Sequence, residues 1–217
     1  MRSLVTCSAI LALMSLFSIP SAALNVSHLN TDAEMLALLS DTLFVGEGRI
    51  GDRGGAATFE VDLGADTGNP ETTAQYNWLS GVPVDFTLTY DYVTDEVVFT
   101  VDNVVLNWTS ALAGYSDIFL RTRAVNAGSD ILLDDLVLDG EPINDTSFAD
   151  ADIDGLDILW INGGKLGNGF TLTGTVVMNW TGTPPTQSRL AFQIKVGRLE
   201  GVPVESASWG MIKGLYR

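Results

Sequence analysis

The sequence predicts an all-β protein: an antiparallel two-sheet sandwich, jelly-roll-like, with one short N-terminal helix. Three observations predict it. Apolar and polar residues alternate over four separate stretches, as a sheet with one wet face requires. Turn-forming residues punctuate those stretches. A helix signature occurs once, near residue 31, and short strands without intervening helices form antiparallel sandwiches.

The elements follow in chain order. Arg2 precedes an apolar run from Leu4 to Ile19, Pro20 breaks it, and Ser21-Ala22-Ala23 offers small residues for cleavage. A basic start, a short apolar core and a small-residue exit read as a secretory signal peptide over residues 1–23, too short to span a bilayer comfortably. Residues 24–197 then form a single β-sandwich domain, and residues 198–217 a C-terminal tail.

Thr31-Asp32-Ala33-Glu34 fits a capping box, in which the threonine hydroxyl and the glutamate satisfy each other's orphan backbone donors. Met35, Leu36, Leu38 and Leu39 supply an apolar side, and the helix is expected to end near Asp41 and to cover one end or edge of the sandwich. Phe86, Leu88 and Tyr90 alternate with threonines, and Val97, Phe99 and Val101 with Val98 and Thr100. Phe170 to Met178 and Leu190 to Val196 alternate in the same way, with threonine a good strand former on the outer face. Thr94-Asp95, Asp102-Asn103, Gly128-Ser129, Asp139-Gly140 and Gly163-Gly164 mark reversals. Gly51 to Gly55 and Thr67 to Pro70 read as surface loops. Asn-Trp-Thr occurs at residues 107–109 and 179–181, as two strand ends of similar chemistry.

Composition narrows the partners. The chain has 217 residues and a formal charge of −16; removing Arg2 with the signal takes it to −17. Such a field repels nucleic acid and anionic membrane surfaces. The only cysteine, Cys7, lies in the signal, so the exported chain carries no thiol and no disulfide. Small secreted eukaryotic domains usually use disulfides, so this points to bacterial export.

Four sets of residues invite chemistry. Asp150, Asp152 and Asp154 alternate before Gly155, a pattern able to fold around calcium, with Asp145 or Asp157 as a further ligand. Position twelve of the EF-hand pattern is Ile161 instead of glutamate, and a solvated acidic turn is the simpler reading. Glu60 and Asp62 share one face of an expected strand from Thr58 to Leu63, and paired carboxylates serve glycoside hydrolysis. The third acid of the Glu-x-Asp-x-Glu strand of jelly-roll glucanases is missing, Gly64 or Ala65 standing there. Two acids on the wet face of an edge strand are then the expectation. His28, the only histidine, is expected on the surface of a flexible end, which leaves no multi-histidine zinc site. Trp180 continues an inward-facing set, whereas Trp78 and Trp108 are candidates for a sugar-stacking platform.

Leu43 to Gly51, Ser116 to Ala124, Asn168 to Gly174 and Trp180 to Lys195 together resemble the bacterial choice-of-anchor W domain proteins. The resemblance covers residues 30 to 197. It implies an exported protein, often carrying a PEP-CTERM sorting signal, in bacteria that make exopolysaccharide. Val202-Pro203-Val204-Glu205-Ser206 looks like a degraded start of that signal, and Trp209 to Tyr216 is too short to span a bilayer. The sequence therefore reads as a secreted or cell-surface protein without catalytic activity, associated with extracellular polysaccharide and without a stable membrane anchor. A calcium-stabilised carbohydrate-binding or adhesion module and, third, a jelly-roll glycosidase are the alternatives.

Overall fold

The computed structural model describes residues 24–52, 59–65, 70–110, 114–163 and 169–199. The signal peptide and nearly all of the C-terminal tail lie outside these residues, as do most of the two expected surface loops and Gly164. Among the described residues, fourteen strands form two antiparallel sheets, with a single helix, α1, at Asp32–Leu38. This is the two-sheet sandwich that the alternation predicts.

The first sheet runs in the order β1 (Leu24–Leu29), β12 (Leu156–Gly163), β8 (Asp117–Ala124), β14 (Leu190–Leu199), β2 (Leu39–Arg49), β3 (Val61–Gly64), β4 (Thr72–Ala74). The second runs β10 (Glu141–Pro142), β9 (Ser129–Leu138), β13 (Phe170–Trp180), β5 (Val84–Asp91), β6 (Glu96–Val101), β7 (Val104–Thr109), and β11 (Ser147–Asp150) also pairs with β9. Strands far apart in sequence lie side by side, as β2 and β14 do in the first sheet.

The core lies between the sheets. Phe86, Leu88 and Tyr90 of β5, Val97, Phe99 and Val101 of β6, and Phe170, Leu172, Val176 and Met178 of β13 meet Phe192, Ile194 and Val196 of β14 there. Asp95 and Asp102 take positive φ at the hairpins flanking β6, in the left-handed region that such turns require. On β2 the inward positions opposite Ile194 and Phe192 are Gly46 and Gly48. An added Cβ at Gly48 would collide with the Phe192 ring, so glycine lets that ring pack against bare backbone.

A second, smaller apolar cluster lies outside the first sheet. Phe119 and Ile158 point away from the main core and bury Met35 of α1. Helix α1 thus covers the outer face of the sheet and not an end or edge. The capping box forms as expected, with Glu34 N donating to Thr31 Oγ1 at 3.1 Å and Thr31 N to Glu34 Oε2 at 3.1 Å. The helix stops at Leu38, short of the expected Asp41, because Leu39 and Asp41 pair with Leu199 and Arg198 of β14. A helix this short is marginal alone, and the ladder outcompetes its next turn. The same pairing carries β14 to Leu199, two residues beyond the expected domain boundary.

Candidate functional site

The outer face of the first sheet gathers most of the unusual chemistry. Strand register places Ile158, Arg121, Gln193, Glu47, Asp62 and Thr73 in one row across six strands. Lys195, Arg123 and Arg49 flank that row on the same face by strand alternation. Four of the chain's eleven lysines and arginines therefore converge here.

At one end of the row the cations meet α1. Arg121 Nε donates to Asp32 Oδ1 at 2.6 Å and Nη2 to Oδ2 at 2.8 Å, the bidentate geometry that guanidinium and carboxylate favour. The Arg121 hydrogen bonds hold the Asp32 carboxyl below its ordinary value, against the opposing effect of burial. Between α1 and the sheet lies an open groove of about 290 Å³, lined by Asp32, Met35, Leu36, Arg121, Arg123, Gln193 and Lys195. Arg123 is exposed, and Leu36 presents an apolar surface at 63% exposure.

At the other end the carboxylates are buried. Glu47 and Asp62 stand directly opposite each other and are 2% and 1% exposed. Arg49 reaches both, with Nε 3.9 Å from Asp62 and Nη1 4.0 Å from Glu47, while its guanidinium lies 3.9 Å over the Phe59 ring. Gln193 hydrogen-bonds Glu47. Neither oxygen of Asp62 has a hydrogen bond. Burial, then the charge of Glu47, pushes Asp62 up to about 8 against the attraction of Arg49, so the pair retains a proton at neutral pH. Burial raises Glu47 as well.

This corrects the expectation of two solvated acids on an edge strand. Strand β3 is interior, held by β2 and β4, and Glu60 is fully buried. Glu60 accepts from Gly51 N and Asp52 N, each at 2.8 Å, which ties down the chain leaving β2. Asp62 faces Glu47, a partner that sequence reasoning missed. The signal available was the polar residue between two glycines in Gly46-Glu47-Gly48.

His28 is not on a loose end. It lies in β1, with Nδ1 2.8 Å from Asp157 and Nε2 3.2 Å from Asp145, and Asp157 also accepts from Ser147 Oγ at 2.8 Å. Burial opposes the imidazolium, but the bonds to Asp157 and Asp145 prevail and raise its pKa.

The carboxylates of Asp150 and Asp152 in the 150–155 turn are engaged with backbone. Asp150 Oδ1 accepts from Asp152 N and Asp152 Oδ2 from Gly128 N, while the Asp150 carbonyl accepts from Ile153, Asp154 and Gly155. Among the described residues no three His, Cys, Asp or Glu side chains are grouped to hold a metal ion. The calcium expectation at Asp150, Asp152 and Asp154 gains no support from this geometry. Of the tryptophans, Trp78 is buried, and Trp108 and Trp180 are half-buried against the core, so Trp180 is less enclosed than its alternation suggests. Trp160 stacks on Phe119 and donates Nε1 to Asp117 at 2.7 Å.

A larger groove, about 540 Å³, runs beside β9 and the β10–β11 connection, lined by Asp134, Asp135 and Asp145 with no basic residue. It bears the same sign as the chain as a whole. The smaller groove is the more specific feature because it reverses that sign. The chain matches no protein-family model, and no curated protein is significantly similar to it.

Proposed function

We propose that this chain is an exported protein without catalytic activity that associates with extracellular polysaccharide through the outer face of its first sheet. One observation carries the reading: a net-acidic chain gathers Arg121, Arg123 and Lys195 around an open groove walled by a capped helix. The signal-peptide pattern of residues 1–23 supports export, and the resemblance to choice-of-anchor W domains points the same way. The two carboxyls weighed for glycoside hydrolysis do not stand together on an open face. Glu60 caps a loop, and Asp62 lies buried against Glu47.

Cell fractionation tests export: the chain is expected outside the cytoplasm, lacking residues 1–23. Co-sedimentation of the purified chain with a panel of extracellular polysaccharides tests association. An unprocessed chain in the cytoplasm, or no retention on any polysaccharide at any salt concentration, overturns the reading.

A further inference from the structure

Resting on the polysaccharide reading, we propose that the groove between α1 and the first sheet is a subsite for a carboxylate-bearing sugar, with Arg123 and Lys195 as its anchors. The internal chemistry of the groove already displays the recognised group. The Asp32 carboxylate sits on Arg121 through two parallel bonds of 2.6 and 2.8 Å, at the rim of the same groove. Arg123 lies two residues along β8 on the same face, about 7 Å further. It presents a second guanidinium fork, exposed to solvent. Lys195 lies on the neighbouring strand, opposite Phe119, at the other side of Arg121.

Charge decides the sign of the ligand. Three cations and one carboxylate line the groove, in a chain of formal charge −16. Glu47 lies deeper in the same row, where Arg49 and Gln193 engage it. A guanidinium fork matches a planar carboxylate in two bonds, which selects uronate-type sugars over neutral ones. The remaining surface suits a ring. Leu36 gives an apolar wall for a C–H face, and Gln193, which also hydrogen-bonds Glu47, lines the groove beside it. At about 290 Å³ the groove falls at the small end of ligand sites (~300–1,000 Å³). Its open form fits one unit of a polymer passing through.

Binding of the purified chain to polygalacturonate, dextran and poly-glutamate tests this. Polygalacturonate is expected to bind, more weakly as NaCl rises, and dextran not to bind. Lys195→Ala is expected to weaken binding about tenfold, the loss of one charge-assisted hydrogen bond, and Arg123→Ala, which removes a two-bond fork, at least as much. Arg189→Ala, a change outside the groove, is expected to leave affinity unchanged, and circular dichroism melts confirm that every variant folds. Equal binding of dextran and polygalacturonate keeps the polysaccharide reading and sinks this one. So does unaltered affinity in both groove variants. Tighter binding of poly-glutamate than of polygalacturonate overturns it in favour of an acidic peptide. Retention on neither polysaccharide overturns this inference, and the broader reading falls with it only if the whole polysaccharide panel also fails to retain the chain.

Discussion

Glu47 and Asp62 face each other across β2 and β3 in direct register, two buried carboxyls with the Arg49 guanidinium within 4.0 Å of each. Like charges opposite each other destabilise a strand pair, and burial makes each charge dearer still. The protein resolves the conflict by keeping a proton on the pair.

That proton makes stability depend on pH. Asp62 moves from an ordinary value of 3.8 to about 8 on folding, chiefly through burial. Between those values the folded state binds more protons than the unfolded one, so stability falls as pH rises and levels off above about 8. Asp62→Asn keeps the shape and removes the titration. Urea midpoints from acid to alkaline pH are expected to decline less in the variant, which becomes the more stable protein at alkaline pH. An identical decline in both proteins counts against a shared proton.

His28 provides a titration at the opposite edge of the sheet. Both ring nitrogens approach carboxylates, so making both bonds requires the doubly protonated ring. Its raised pKa means that the contribution is complete below about pH 6.5 and is lost as pH rises through the folded value. His28→Gln is expected to destabilise the chain at acid pH by no more than about 1 kcal/mol, since the cluster is partly exposed. The difference from the parent should vanish at alkaline pH. A constant difference at every pH would assign His28 a packing role alone.

Asp32 holds α1 to the sheet. Asp32→Ala leaves Arg121, a largely buried guanidinium, without its bidentate partner, at an expected loss of about 1–2 kcal/mol. The Asp32 pKa is lowered, so its contribution is present above the ordinary value of 3.8 and is lost as pH falls through the folded one. Hydrogen exchange should show α1 amides opening faster while the β5–β6 hairpin is unchanged. Uniform acceleration across the chain would mean that α1 is not a separable unit.

Much of the fold was legible in the sequence because period-two alternation in β5, β6, β13 and β14 reports the inner face directly. The capping box of Thr31 and Glu34 was equally local, and it formed. Events across strands were hidden. Nothing near Glu47 in sequence announces Asp62, because β2 and β3 are joined through register, and His28 meets Asp157 only through the pairing of β1 with β12. The second cluster did leave a trace. Ile118-Phe119-Leu120 is a continuous apolar run, the mark of a central strand covered on both faces, here by the core and by Met35. The helix end was misread because the ladder between β2 and β14 overrides local propensity.

The glycines of β2 connect the buried acids to the core. Gly46 and Gly48 flank Glu47 and point inward, where Phe99 and Phe192 lie against them. A Cβ at Gly48 would overlap the Phe192 ring, lying 2.7 Å from its Cζ, whereas one at Gly46 would stand 3.2 Å from the Phe99 ring. Phe192 also touches Phe86, Phe99 and Trp78, so it has little room to retreat. Gly48→Ala is therefore expected to destabilise by about 1–3 kcal/mol, as overpacking does, and Gly46→Ala by less. Phe192→Leu frees space at the same point. In the double variant the two losses should sum to less than the singles predict, because neighbours in contact are not additive. Chemical denaturation of the four proteins measures the coupling. Strict additivity would mean that the methyl and the ring do not meet, and that β2 moves aside to admit the larger residue.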